Sequence, residues 1–182
     1  MTEARMPDPI TLTEYLELEE TSPVRHEFLY GTIHAQAGTT RRHNQITQNV
    51  AFALRQAARS MGGQVYLQNV KFSPLEGVVY YPDVFVTCQN TGSEVLFNDA
   101  CLVVEVLSRS TQNVDLREKL VQYRLSPSVQ TYIIVDQYHA LVRVFQKPEW
   151  KDQHFTAGEV PVPCLGSSLA VSDVYEGIDF EA

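Results

Sequence analysis

The chain has 182 residues, 44% of them apolar, and a formal net charge of -8 at pH 7. This length predicts one domain over residues 1–182 with a substantial buried core, and it leaves little room for two full domains. The acidic balance argues against loose, charge-driven binding to a polyanion, because proteins that bind nucleic acid usually carry a basic surface. No apolar stretch approaches the length of a membrane span, so we expect no membrane partner.

The cysteines and the N-terminal segment indicate the cellular compartment in which we expect the protein. Cys88, Cys101 and Cys164 are an odd number, are far apart in sequence and form no C-x-x-C pair. The first twenty residues contain charges and no apolar core of a secretory signal. We therefore expect a reduced, cytoplasmic setting.

The apolar pattern alternates between helical and strand spacing along the chain. Thr11 or Thr13 is a candidate cap for the first helix, and the glycines at 62 and 63 end the longest one. Short helix and strand runs without a regular βαβ rhythm predict an α/β (mixed α+β) fold with a central mixed β-sheet flanked by helices. The predicted helices are 12–20, 42–61 and 113–125, and the predicted extended runs are 25–37 (a hairpin), 64–72, 78–88, 100–108, 131–136, 141–146 and 150–156. Residues 147–182 are interpreted as a sheet edge and closing segment.

Two acidic residues interrupt otherwise apolar strands. Glu105 lies in a run that is apolar on both faces, and burying its carboxylate unpaired would be costly. Asp83 follows Pro82, which cannot donate to a sheet ladder and indicates an irregular strand start. Taken singly, a buried Glu is more often part of a structural ion pair, and a Pro-Asp pair is often a turn or cap. Taken together, two carboxylates on neighbouring strands indicate ligands for a hard cation such as Mg²⁺.

Two further candidate residues, Lys119 and His43, lie on predicted helices. Asp115 and Lys119 have i,i+4 spacing, which is typical of a surface salt bridge. Lys119 also falls near the apolar stripe of its helix, which would turn its ammonium towards the sheet, where it could orient water. His43 lies on the inner face of the long helix, where a hydrogen-bonded, partly buried histidine is more common than a catalytic one.

The order and spacing of several short strings resemble the Uma-type restriction endonuclease family, a branch of the PD-(D/E)XK nuclease superfamily. The strings run from RHEFLYG at 25–31 and His43, through the strand with Tyr81, Pro82, Asp83 and Val84, to VVEVLS at 103–108 with Ser110 and Thr111. They continue through Asp115, Lys119 and Tyr123 to YIIVD at 132–136. The resemblance spans almost the whole chain.

The resemblance implies a restriction-endonuclease-like sheet and a set of site residues. Asp83, Glu105 and the backbone carbonyl of Val106 would be metal ligands, and Lys119 would position the water. Glu27 matches an early glutamate of the family that would approach the same metal.

The chain departs from the pattern at four positions. Leu107 occupies the place of the superfamily lysine, which in this branch lies on the following helix. Arg109 and Gln137 stand where proline is usual, and Tyr30 replaces an acid. His43, Arg109 and Arg42 are the candidates for substrate contacts.

These observations predict a Mg²⁺-dependent endonuclease, with Mn²⁺ as an alternative ion, that cleaves phosphodiester bonds in DNA. A homodimer would suit cleavage of both strands. A basic rim around the cleft would offset the acidic net charge. It would consist of Arg41, Arg42, Lys71, Arg109, Arg117 and Arg124. Two alternatives stay open: a nuclease-like module that binds nucleic acid or protein without cutting, and a regulatory interaction module whose acids form structural ion pairs.

Overall fold

The helices of the computed structural model begin close to where the sequence predicts them. The structure describes residues 8–36, 38–89, 93–108 and 114–180, with the side chains of 114–116 outside this description. Thr11 caps the first helix in a capping box with Glu14, and Thr40 caps the long second helix. The predicted third helix consists of a π-helical turn over Val114–Lys119 followed by a short α-helix. The α-helices are α1 (Leu12–Thr21), α2 (Arg41–Ser60), α3 (Leu120–Leu125) and α4 (Val171–Val174).

The strands are shorter and more broken than the apolar runs suggest. Tyr81, Pro82 and Asp83 separate two strands that the sequence presents as one run, as expected from the missing donor of Pro82. The strands are β1 (His26–Leu29), β2 (Thr32–Ala35), β3 (Gln64–Leu67), β4 (Lys71–Phe72), β5 (Val78–Val79), β6 (Val84–Thr87), β7 (Leu96–Phe97), β8 (Leu102–Leu107), β9 (Thr131–Asp136), β10 (Val142–Gln146), β11 (Gln153–Phe155), β12 (Glu159–Val162) and β13 (Ser167–Ala170).

The main sheet has six strands in the order β11-β10-β9-β8-β6-β3. β8 and β9 run parallel because the π-helical turn and α3 form a crossover between them, and the other pairs are antiparallel. Strand β1 lies in a smaller sheet between β2 and β5. The prediction of a mixed sheet flanked by helices is confirmed.

Side chains alternate across β8 and divide the core into two layers. Leu102, Val104 and Val106 pack with the apolar face of α2. Val103 and Leu107 face the opposite layer, which is rich in aromatic rings. Glu105 has the same parity as this second pair, so the period of two along a strand carries its carboxylate to the aromatic side.

Two of the three cysteines are paired in the structure. Cys88 and Cys101 form a disulfide, with their Cα atoms 5.8 Å apart, and Cys164 is free. The two cysteines are thirteen residues apart in the chain, but antiparallel pairing of β6 with β8 brings the strand ends together. The expected reduced setting therefore loses its support from unpaired cysteines.

Within the part of the chain described, no helix combines the length and the apolar character needed to cross a bilayer.

Candidate active site

A cavity of about 590 Å³ lies where β1, the segment before β6, the end of β8 and the start of α2 meet. Its described lining contains four carboxylates but only two cations, Arg25 and Lys119. The remaining lining is mostly neutral and polar. The carboxylates are those of Glu27, Asp83, Glu105 and Glu118. A lining with this excess of negative charge favours a positively charged ligand.

Lys119 joins two of these carboxylates. Its Nζ lies 2.9 Å from Glu27 Oε1 and 3.0 Å from Glu105 Oε1. Lys119 is 5% exposed and Glu105 is 4% exposed, so the ion pairs are shielded from water. The lysine reaches this position from the last residue of the π-helical turn, a type of helix distortion that often occurs at functional sites.

Aromatic residues form the floor beneath the ammonium. Tyr123 donates a 3.1 Å hydrogen bond to Glu105 Oε1, which therefore accepts from both Tyr123 and Lys119. The Nζ of Lys119 also lies 5.2 Å from the centroid of the Tyr80 ring, a distance suited to a cation-π contact. Burial raises the pKa of Tyr80, and the nearby carboxylates of Glu118 and Glu27 act in the same direction. Tyr80 consequently stays a neutral hydroxyl donor.

Asp83 is attached directly to β8 and to α2. Its Oδ2 accepts a 2.8 Å hydrogen bond from the backbone N–H of Val106 and lies 3.1 Å from His43 Nε2. The other oxygen, Oδ1, accepts one hydrogen bond within the described residues, from Gln68 Nε2 at 3.4 Å. Oδ1 is thus the oxygen of Asp83 with the most remaining capacity to accept a ligand.

The donor set suits a hard divalent cation. Carboxylate and carbonyl oxygens are the ligands that Mg²⁺ and Mn²⁺ prefer. Glu27 Oε1 is buried and makes no hydrogen bond within the described residues, so its contact with Lys119 is ionic only. No group of three or more His, Cys, Asp or Glu side chains has metal-binding geometry in the described ranges. The candidate ligands therefore remain two carboxylates, Asp83 and Glu105, supplemented by the Val106 carbonyl.

The structure brings most of the predicted site residues together. Glu27, Asp83, Glu105, Val106, Lys119 and His43 all line the cavity. His43, a candidate substrate contact, has its ring against Asp83. Arg42 lies outside the cavity lining, and its guanidinium donates to the carbonyl of Asp179. Arg109 lies outside the described residues.

The predicted basic rim is not found among the described lining residues. Of the arginines and lysines proposed for it, Arg41, Lys71, Arg117 and Arg124 are absent from the lining. Arg25, which was not predicted to contact substrate, does line the cavity, and it donates to the carbonyl of Glu19. Arg41 and Arg42 instead line a second, smaller cavity beside Asp179.

Sequence reasoning missed several neutral residues of the cavity, including Gln68, Thr40 and Gln137. A polar neutral side chain at the end of a strand or helix resembles an ordinary turn residue, so no sequence pattern distinguishes these three. The sequence distinguishes Gln137 only as the residue at a position where proline is usual in the family.

A solved crystal structure has the same fold as this chain. The crystal structure of a "putative nuclease belonging to DUF820" from Anabaena variabilis matches with a TM-score of 0.76. The match covers 91% of this chain and 97% of that one at 20% identity.

Sequence comparison then identifies the family. The model of the Uma2 family, described as "Putative restriction endonuclease", matches residues 12–172. The chain belongs to the Uma2 family. Two Synechocystis proteins are similar over most of their length: sll1609 is 30% identical over 76% of this chain and 81% of its own, and slr1290 is 28% identical over 92% of both. Both are described as uncharacterized proteins.

Proposed function

We propose that this protein is a divalent-metal-dependent endonuclease that hydrolyses phosphodiester bonds in DNA. The observation that carries the proposal is the convergence of Asp83, Glu105 and Lys119 in one shielded cavity, although they come from three separate elements. Membership of the Uma2 family supports the same reaction class.

Asp83 Oδ1, Glu105 and the Val106 carbonyl would hold the cation, with Glu27 close to the same point. When bound, a divalent cation supplies Lewis-acid polarisation of a phosphoryl oxygen. Lys119 would orient the attacking water and counter the charge that develops on the phosphate oxygens. Tyr80 keeps that ammonium in place from the aromatic side, and Tyr123 holds its partner Glu105.

Two carboxylate variants and one matched control test the proposal. Asp83→Asn and Glu105→Gln each remove one candidate ligand charge while keeping side-chain shape. Glu94→Gln is the control, because Glu94 is exposed and lies outside the cavity lining. We expect wild type and Glu94→Gln to bind Mn²⁺ in a calorimetric titration and to nick plasmid DNA, and both ligand variants to lose binding and nicking.

A non-cleaving binding module is the second candidate, and the charge of the cavity favours it. Four carboxylates face two cations, and both cations are already engaged with other groups of the protein. If wild type binds DNA in the presence of Mn²⁺ but never nicks it, this second function replaces the first. If Mn²⁺ does not bind at all, the acids form structural ion pairs and the proposed metal-dependent nuclease activity fails.

A homodimer completes the proposal. Two copies of one site would allow both strands of a duplex to be cut. Sedimentation of the protein alone and bound to a short duplex would measure the assembly.

A further inference from the structure

A closed ring of contacts lies in the wall of the cavity, and half of it runs through α2. It consists of hydrogen bonds and one close contact between a histidine ring and a carboxylate. The backbone N–H of Val106 donates to Asp83 Oδ2, and the same oxygen lies 3.1 Å from His43 Nε2. His43 is 8% exposed and stands in the first turn of α2. Its backbone N–H donates a 3.2 Å hydrogen bond to Thr40 Oγ1, which caps the helix. The position of the His43 ring on Asp83 therefore depends on where the N-terminus of α2 is held.

The other half of the ring is made by Gln137. The hydroxyl of Thr40 donates to Gln137 Oε1 at 2.9 Å, and Gln137 Nε2 donates to the carbonyl of Leu107 at 2.6 Å. Leu107 follows Val106, at which the first half of the ring begins. The ring thus runs from Val106 at the end of β8 to α2 and returns to β8 at Leu107, one residue later.

The chemistry of the partners fixes the orientation of the Gln137 amide. A backbone carbonyl can only accept, so the NH₂ group must face Leu107 and the amide oxygen must face Thr40. Gln137 is 1% exposed, so water cannot replace a lost partner at low cost. The buried amide of Gln137 donates one hydrogen bond to β8 and accepts one from the cap of α2. It is therefore suited to fixing the distance between these two elements.

We propose that Gln137 is a positioning residue for the candidate metal site. It ties the cap of α2 to the end of β8, and so keeps the His43 ring on Oδ2 of Asp83. Because both bonds of the ring use Oδ2, Oδ1 is left as the oxygen able to bind the cation. This inference deepens the proposed function and rests on it.

Four variants of the ring test the role of Gln137. Gln137→Met keeps the length of the side chain and removes both hydrogen bonds. Gln137→Glu keeps the shape but cannot donate to Leu107 while ionised. Thr40→Val breaks the ring at the next bond, and Thr40→Ser keeps the hydroxyl.

Gln146→Met is the matched control. Gln146 ends the neighbouring strand β10, donates a 2.7 Å hydrogen bond to the carbonyl of Pro161, and lies outside the cavity lining. The readouts are the affinity for Mn²⁺ by calorimetric titration and the thermal midpoint of each metal-free variant. All titrations are made well below the lowest midpoint, so that every variant is folded.

We expect Gln137→Met, Gln137→Glu and Thr40→Val to bind Mn²⁺ at least about tenfold more weakly, the size usual for partners that orient a metal ligand. Thr40→Ser and Gln146→Met should stay within about twofold of wild type, on the same scale. The Thr40→Val, Gln137→Met double variant should lose no more affinity than the worse single variant, because a ring is broken by its first missing bond.

Three results would overturn the inference in distinguishable ways. If Gln137→Met binds Mn²⁺ as tightly as wild type, Gln137 has only a packing role and the proposed function stands. If Gln146→Met loses as much affinity as Gln137→Met, the effect is a general loss of stability. If wild type binds no Mn²⁺, the proposed function and the inference both fail.

Discussion

Replacing Lys119 by Met should destabilise the metal-free protein strongly, because the ammonium is the shared counter-charge of two buried carboxylates. Each pair is about 3 Å long. At an effective dielectric constant of about 20, one such contact is worth roughly 5 kcal/mol of attraction. Most of that attraction offsets the desolvation of the charges, and removing one partner of a buried pair typically costs about 3–5 kcal/mol in measured stability. For a chain of this size, that loss lowers the thermal midpoint by about 6–20 °C.

The assay compares urea and thermal unfolding of wild type, Lys119→Met and a surface control. Lys151→Met is the control, since Lys151 pairs with Glu149 at an exposed position and such pairs are worth about 0–1 kcal/mol. Adding Mn²⁺ at about one hundred times its dissociation constant should return about 2.7 kcal/mol to each protein that binds it. Plasmid nicking by Lys119→Met should be lost even with Mn²⁺ bound, because no group then orients the water.

A loss of less than about 1 kcal/mol in metal-free Lys119→Met, the range of an exposed pair, would contradict this prediction. Such a small loss of stability would show that the two carboxylates do not need this ammonium as their counter-charge. Retained nicking would separately refute the role of Lys119 in the reaction.

Two further predictions concern the stability of the fold. Burial acts to raise the pKa of Glu19, but hydrogen bonds from Tyr81 and His26 outweigh it and hold the pKa below its usual value. A carboxyl with a lowered folded-state pKa adds stability above its unfolded pKa and loses it as pH falls through the folded one. Glu19→Gln should therefore be less stable than wild type at pH 7, and urea midpoints from pH 7 to pH 3 should show the difference shrinking; a constant difference would contradict this linkage. Leu54→Ala should cost about 2–5 kcal/mol in urea unfolding, because Leu54 is 1% exposed between α2 and the sheet. A loss below about 1 kcal/mol would mean that the site collapses around the smaller side chain.

The sequence alone determined the elements whose signals are local. Periodicity located α1, α2 and β8–β11 to within a few residues, because apolar spacing and capping residues act over one or two turns. Pro82 marked the interruption before β6 for an equally local reason. Several short strings of residues along the chain also indicated the family. The family resemblance then grouped Asp83 with Glu105 and Lys119 in one site.

Tertiary structure decided every feature that depends on distant residues meeting. Lys119 contacts Glu27 across ninety-two positions of the chain, and the ring through Thr40 and Gln137 spans ninety-seven. The disulfide between Cys88 and Cys101 depends on the register of β6 with β8. Helix orientation likewise directs Arg42 to Asp179 and away from the cavity. Residue type specifies what a side chain can donate, accept or neutralise, but only the packed sheet and helices fix which partner lies within 3 Å.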